Sequence, residues 1–390
     1  MKPLSEIGAA VVGTGFIGAV HVETLRRLGV SVRGVVASSA QKSAERAREL
    51  GVPRGYESYE AMLEDERVDV VHVASPNNLH HPQVKAALEA GKHVVCEKPL
   101  ALSSKESAEL LDLALASGVV HAVQFQQRYY PVCQHLKGLL SAGDLGTARL
   151  VSGHYLQDWL LNEADWNWRL ESEVGGRLRT VGDIGFHWLD LVSFVTGRRV
   201  ESVLADLATF LETRRRPVGA VETFQAGGDQ ATEPRRVTTE DCATMLLRLE
   251  GGILGCLALS QISPGRKNSL RFEIDGSEAA AAWDSERPDE LWLGHRDRPN
   301  ELLLRDPALL NQEGRAAARL PGGHAEGFLD AFRGLHAAVY DAISAGGPPP
   351  QPTYPTFADG HQEMLIGDAV LQSAADGRWV DVQSMEAALK

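Results

Sequence analysis

The chain is 390 residues long, 44% hydrophobic and 23% charged, proportions of a folded protein that exclude wholesale disorder. Its 39 basic and 52 acidic residues leave a formal net charge of −13, which offers no basic footprint for DNA or RNA phosphates. Four cysteines with no C-x-x-C pair, no export signal and no run near the ~20 apolar residues of a membrane helix predict a soluble cytoplasmic protein that binds neither membrane nor nucleic acid.

At roughly 100–200 residues per domain the length predicts two domains, and the texture puts the break after residue 125. Up to there, apolar β-branched runs alternate with helical spacing. Strand Ile7–Val12 is followed by helix Phe16–Leu28 with Gly29 as its stop, strand Val32–Ala37, helix Ala40–Leu50 and a short helix Tyr59–Glu64. Strand Asp69–Ala74, helix Pro82–Ala90, strand His93–Cys96, helix Ser104–Ala116 and strand Val119–Val123 complete the series. Such alternation implies right-handed crossovers and a parallel sheet. Residues 126–390 read differently. Helix Val132–Ser141 and strand Ala148–Leu156 precede a tryptophan-rich stretch, Asp158–Arg169, and helix Ile184–Thr196. Strands then cluster at Val200–Phe210, Ala243–Leu249, Ile253–Gln261, Leu270–Ile274, Ala279–Trp283 and Leu291–Leu293, with Glu250-Gly251-Gly252 as a hairpin turn, which predicts a largely antiparallel sheet. Arg214–Val237, with five arginines and two prolines, reads as a surface loop. Helices Phe328–Ile343 and Phe357–Ala375 flank an extended proline-rich connector.

Three motifs carry chemistry. Gly13-Thr14-Gly15-Phe16-Ile17-Gly18 is a G-x-G-x-x-G between a strand and a helix. Gly13 permits the tight turn, Gly15 lets a pyrophosphate approach the backbone, Gly18 allows close helix–strand packing, and the helix N-terminus faces the phosphates. A dinucleotide that carries NAD usually meets an acid after the second strand, on the ribose 2′-hydroxyl. Here Ser38, Ser39 and Lys42 stand there instead, which leans towards NADP or tolerance of both, although a serine here could equally cap the helix that follows. The second motif, Glu97-Lys98-Pro99, follows the fourth strand, where a lysine can donate to a substrate oxygen. Ser75, Pro76, Asn77 and His80 follow the third strand and line the same crevice. Gln126, Arg128 and Tyr129 follow the fifth strand, where they would border a bound nicotinamide and substrate. The third motif spaces Asp183, His187 and Asp190 four and three apart on one helical face, with Asp183 near the N-cap, as acid–base machinery or metal ligands. With HExxH absent and no second cluster, no metal is expected.

Together these motifs, in this order and spacing over essentially the whole chain, resemble the glucose–fructose oxidoreductase/inositol dehydrogenase family. The resemblance implies an α/β architecture: an N-terminal Rossmann domain (1–125) for the dinucleotide, and a C-terminal α/β domain (126–390) with a large open, mostly antiparallel sheet for substrate and oligomerisation. It implies Lys98, Asp183 and His187 as the catalytic set, a cis Lys98–Pro99 bond, and a homodimer or homotetramer through the C-terminal sheet. Tyr155, Gln157, Trp159, Trp166 and Arg169 are similar to the levoglucosan dehydrogenase-like subgroup of pyranoside and anhydrosugar dehydrogenases. Those residue types suit a sugar, since aromatic rings stack on its C–H face while amides, acids and arginine read its hydroxyl rim. The expectation is an NAD(P)-dependent oxidation of a ring secondary alcohol, or its reverse. A non-catalytic sugar sensor, or an enzyme with tightly held cofactor, is the alternative. The short-chain dehydrogenase class is excluded because no lysine follows a tyrosine by four residues.

Overall fold

The computed structural model describes residues 1–219 and 231–389. The chain divides into two compact units. Met1–Phe125, Glu173–Gly175 and Phe332–Met364 form the first; Gln126–Ser172, Gly176–Ala331 and Leu365–Lys390 form the second. Residues 332–364, which the sequence reading placed with 126–390, therefore go with the first unit.

The first unit runs β1 (Gly8–Val12), α1 (Phe16–Leu28), β2 (Ser31–Val36), α2 (Ala40–Glu49), α3 (Tyr59–Leu63), β3 (Val70–Val73), α4 (His80–Glu89), β4 (His93–Cys96), α5 (Ser104–Ser117) and β5 (His121–Val123). Its five strands lie in the order β2-β1-β3-β4-β5, all parallel. Strands β1, β3 and β5 are buried throughout, as a sheet covered on both faces demands, and this is why they read as mostly apolar runs, with His72 in β3 and His121 in β5 as the exceptions. Helices α1 and α5 end at Gly29 and Gly118 in the left-handed conformation. Because β1 lies between β2 and β3, the chain leaves it on either side. The carboxyl ends of β1, β3 and β4 then frame the position where such sheets bind ligands.

The second unit contains α6 (Pro131–Ala142), β6 (Leu150–Leu156), α8 (Phe186–Thr196), β7 (Val200–Ala208), β8 (Thr213–Pro217), β9 (Thr232–Arg236), β10 (Cys242–Leu249), β11 (Ile253–Ser260), β12 (Ser269–Asp275), β13 (Ala280–Asp284), β14 (Glu290–Gly294), β15 (Glu301–Leu304), α9 (Gln312–Ala317), β16 (Val380–Asp381) and α12 (Val382–Ala387). The single turn α7 (Ser172–Gly175) and helices α10 (Phe328–Ala345) and α11 (Phe357–Asp376) are shared between the units. Nine strands form one sheet in the order β15-β14-β13-β12-β6-β11-β10-β7-β16, antiparallel except for the parallel pair β6–β11. In β10 and β11 burial alternates residue by residue, so one face is core and the other open. Helix α8 lies on the core face. The Trp188 indole donates to the Arg271 carbonyl at 2.9 Å, over Gly153, where a Cβ would come within 2.6 Å of the indole nitrogen.

The predicted loop Arg214–Val237 is corrected in part. Its described ends are β8 and β9, paired antiparallel, while residues 220–230 lie outside the described residues. Its arginines disguised the strand. Arg214 is fully buried, donating to the carbonyls of Leu160 and Asn162 and to Asp241, so its charge is matched inside the protein.

Candidate active-site residues

In the first unit, β1 runs into Gly13 at φ +89, a conformation open to glycine, and a Cβ there would strike the backbone of Ala74 and Ser75. A Cβ on Gly18 would lie 1.9 Å from the Gly13 carbonyl, so this glycine is what lets α1 seat against the turn. Gly15 differs: nothing lies within 4 Å of its Cβ position. It occupies the N-cap of α1 without a side-chain cap, beside Ile17 and a half-exposed Phe16. A turn of this shape, an open approach and a thirteen-residue helix starting there fit a dinucleotide pyrophosphate. Arg46 of α2 braces the turn by donating to the Thr14 carbonyl from Nε at 3.1 Å and Nη2 at 2.7 Å. Thirty-two residues separate that pair, and the sequence carries no signal of it.

At the end of β2, Ser39 is the N-cap of α2, its hydroxyl accepting from the Lys42 amide at 3.2 Å. Ser38 and the Lys42 side chain stay exposed. After β3, the Ser75 hydroxyl donates to Gln83 Oε1, and the residue after Pro76, Asn77, donates to the Gly175 carbonyl at 2.8 Å. The His80 nitrogens face the carbonyls of Pro99 and Ser75 at 2.7 and 2.9 Å. Burial holds its pKa below the usual value against the pull of those carbonyls, so a neutral ring donates to one of them. After β4, Glu97 is buried, Lys98 half-buried, and the Lys98–Pro99 bond is cis.

In the second unit, Gln126, Arg128 and Tyr129 form one buried turn. Arg128 is bidentate on Asp190, with Nε 2.9 Å from Oδ2 and Nη2 on Oδ1. That pairing commits Asp190 to structure, although it shares the predicted face with His187. Asp183 and Gly185 belong to a π-helical segment, Val181–Gly185, in which the Phe186 amide donates to the Val181 carbonyl five residues back. Asp183 thus lies inside a helical turn rather than at an N-cap. Such widened turns recur at functional sites, and here Gly185 permits one against β11, where a Cβ would meet Leu259 at 2.7 Å. His187, in the first turn of α8, is buried.

Asp183 gathers two donors, Arg169 Nε at 3.0 Å and Gln261 Nε2 at 2.8 Å. Arg169 also stacks over Trp168, 4.2 Å from the ring centroid, and donates to Asn167. The Tyr155 hydroxyl and Gln157 Nε2 both donate to Asn268 Oδ1, at 2.7 and 2.8 Å, and the Trp159 indole donates to Gln157 Oε1 at 2.8 Å. Burial, with Asp183 nearby, pushes the Tyr155 phenol up, so it stays protonated as a donor. Trp166 departs from the expectation of a sugar platform. Its ring is packed with Leu160, Leu170 and Val237, so it supports the loop.

The sequence reading missed the anchor of this helix. Glu240 accepts the Arg179 amide at 3.0 Å and the Val181 amide at 2.9 Å, satisfying donors at the entry to the π segment. Burial raises the Glu240 carboxyl while those amides pull it down. Asp241 beside it accepts from buried Arg179 and Arg214. Neither acid sits in a motif; a Glu-Asp pair ahead of a strand reads as loop.

Two family models match the chain: "Oxidoreductase family, NAD-binding Rossmann fold" over residues 7–125, and "GFO/IDH/MocA C-terminal domain" over residues 133–282. A levoglucosan dehydrogenase from Pseudarthrobacter phenanthrenivorans is 30% identical over 98% of this chain and 100% of its own length. A 1,5-anhydro-D-fructose reductase from Ensifer adhaerens is 32% identical over 97% of this chain and 98% of its own. A solved levoglucosan dehydrogenase in complex with NADH and L-sorbose superposes with a TM-score of 0.86 at 28% identity, covering 96% of this chain and 98% of that one. With both family domains present in order and relatives matched from end to end, the chain belongs to the GFO/IDH/MocA family of NAD-binding oxidoreductases.

Proposed function

We propose that this protein is an NAD(P)-dependent sugar dehydrogenase that oxidises a ring secondary alcohol of a pyranoside or anhydrosugar to a ketone, or catalyses the reverse. The observation that carries the reading is the uncapped, open glycine turn at Gly13–Gly18 in a chain that also keeps Lys98, Asp183 and His187. Gly13, Gly15, Phe16, Ile17 and Gly18 hold the pyrophosphate on the α1 N-terminus. Ser38 and Lys42 receive the adenosine ribose, with Ser39 capping α2 between them, and Ser75, Pro76, Asn77, His80, Glu97, Gln126 and Arg128 complete the cofactor-facing set. When bound, the nicotinamide supplies the hydride acceptor.

The chain's own residues supply the proton chemistry. His187 takes the hydroxyl proton as general base. Lys98 donates a hydrogen bond to the same oxygen and offsets the negative charge that develops there. Asp183, fixed by Arg169 and Gln261, orients the pair. Tyr155, Gln157, Trp159 and Arg169 read the sugar, Trp159 with its face and the others through donors whose directions are already set. The absence of a carboxylate at Ser38 favours use of NADP at least as well as NAD.

The open face of the large sheet supports a homodimer or homotetramer, because Leu246 lies opposite Cys256 and Arg248 opposite Leu254 there, all outward. The four free thiols, two of them buried, suit a reducing cytoplasm. Absorbance at the reduced-nicotinamide band, followed on mixing with pyranosides and anhydrosugars and either dinucleotide, tests the reading. Bound dinucleotide with no turnover across the panel would favour a sensor.

A further inference from the structure

Beneath the Glu97–Lys98 turn the first unit buries three histidines that no motif explains: His21 on α1, His72 on β3 and His336 on α10. Their nitrogens approach closely enough to suggest a metal site. The hydrogen bonds argue otherwise, because every ring nitrogen already has a partner. His21 Nδ1 and His72 Nδ1 are 2.9 Å apart; His21 Nε2 is 3.1 Å from Glu97 Oε1; His72 Nε2 is 2.8 Å from the Tyr340 hydroxyl. His336 stands beside this chain, facing Thr24 Oγ1 at 3.0 Å and Gln124 Oε1 at 3.2 Å.

The geometry fixes where the protons sit. A hydrogen bond between two Nδ1 atoms needs one donor and one acceptor, so the rings take opposite tautomers. The Tyr340 hydroxyl meets His72 Nε2 and, among the described residues, no other acceptor. It must therefore donate, or leave a buried O–H unsatisfied at a cost of about 1–3 kcal/mol. His72 is then protonated on Nδ1 and donates to His21 Nδ1. His21 is protonated on Nε2 and donates to Glu97. Every donor points one way, from Tyr340 through His72 and His21 to the Glu97 carboxylate. Burial, which holds His72 and His336 well below the usual histidine range, keeps those rings neutral and agrees with the assignment. Glu97 Oε2 accepts the Lys98 amide at 3.3 Å, so the relay ends on the backbone that presents Lys98. Besides His21, the titratable groups near Glu97 among the described residues include the neighbouring Lys98, His80 of α4 and Cys96 of β4.

We propose that Tyr340, His72 and His21 form a one-way hydrogen-bond relay that fixes Glu97 and holds the Glu97–Lys98 turn, which makes His21 a positioning residue for the reaction. The reaction part rests on the dehydrogenase reading above, and the relay itself does not.

Nitrogen-15 NMR of histidine-labelled full-length protein, with signals assigned through His21→Gln and His72→Leu, reads the tautomers directly. The expected result is His21 protonated at Nε2 and His72 at Nδ1. The opposite tautomers, or stoichiometric zinc retained through dialysis, would overturn the relay. His21→Leu should shift the Lys98 amide resonance and lower kcat by about tenfold, the loss of one charge-assisted hydrogen bond. His21→Gln, which keeps a donor near the Nε2 position, should restore both. Tyr340→Phe, which conserves volume, should release the fixed His72 tautomer. Equal effects of the Leu and Gln variants would reduce His21 to packing and overturn the positioning role. If the wild type turns over no sugar, the dehydrogenase reading fails, and the tautomers and the Lys98 amide still decide the relay.

Discussion

Arg169 donates its Nε hydrogen to Asp183 at 3.0 Å, which ties the end of the tryptophan-rich stretch to the π-helical turn ahead of His187. Gln261 holds the other carboxylate oxygen from the end of β11. One side chain thus connects the proposed sugar-reading residues to the proposed proton-transfer residues. Removing it takes away one of the donors that hold Asp183. Arg169→Leu should lower kcat/KM by about 10- to 100-fold, the equivalent of a charge-assisted hydrogen bond of about 1.5–3 kcal/mol. The ion pair is mostly buried, so the melting temperature should fall as well. Steady-state kinetics beside a thermal melt separates the two effects.

Trp166 and Trp159 are seven residues apart and should differ in what their loss costs. Trp166→Ala empties the centre of the small core of Leu160, Leu170 and Val237, at a cost of about 3–5 kcal/mol. It should melt several degrees early. Trp159 is half-buried and anchored through its indole to Gln157. Because Trp159 packs only against the edge of that core, Trp159→Ala should raise KM for the sugar and lower the melting temperature less than Trp166→Ala does. A matched fall in stability for both would make Trp159 a core residue as well.

Several buried histidines make stability depend on pH. Burial depresses His121 to about 4, and the Phe357 amide donates to its Nδ1, which must therefore stay unprotonated. Burial also holds His72 and His336 well below the usual histidine range. In the unfolded chain each returns to about 6.5 and binds a proton that the folded state refuses. Stability is therefore full above that value and falls as pH drops from 6.5 towards 4. Thermal melts should be level above pH 7 and decline steadily below 6. His121→Phe should flatten part of the slope. A melting temperature unchanged between pH 7.5 and 5 would contradict this.

Most of the first unit was legible in the sequence because its strands are buried on both faces and its turns are glycines with one geometric job. Helix Phe16–Leu28 and strand His93–Cys96 match their predicted limits. Candidate site residues that sit in motifs, such as Gly13, Lys98 and His187, can be named from the sequence. Partners that come from afar cannot. Glu240 reaches the Val181 amide from 59 residues away, and Arg128 takes Asp190 from 62 away. Arg214 shows the other limit: composition marks an arginine as solvated, and only the fold reveals a buried acid for it to meet.

Dinucleotide preference follows from the exposed Ser38 and Lys42 at the end of β2. Since Ser39 is spent on capping α2, Ser38 is the hydroxyl free to meet the ribose. A carboxylate there would accept from a 2′-hydroxyl and repel a 2′-phosphate by about 1 kcal/mol or more at 4 Å in water. Ser38→Asp should therefore move the NAD/NADP ratio of kcat/KM towards NAD by about fivefold or more. A wild type that already strongly prefers NAD would contradict the reading.

Lys98 and His187 carry the decision between enzyme and sensor. His187 works as a base only when neutral, so oxidation should decline at low pH as the ring protonates. Lys98 matters most where charge grows on the substrate oxygen, so its loss should weigh on turnover more than on sugar binding. Loss of general acid–base catalysis is typically about 10²–10⁴-fold, and Lys98→Ala and His187→Ala should each fall in that range. Dinucleotide binding should survive in both, because the turn at Gly13, Gly15 and Gly18 is untouched and its shape comes from the backbone of Ala74 and Ser75. Turnover measured beside a cofactor titration tests both halves. Near-normal turnover in either variant would remove that residue from the mechanism, and lost cofactor binding would mean that the substitution had damaged the first unit or the fold instead of the chemistry.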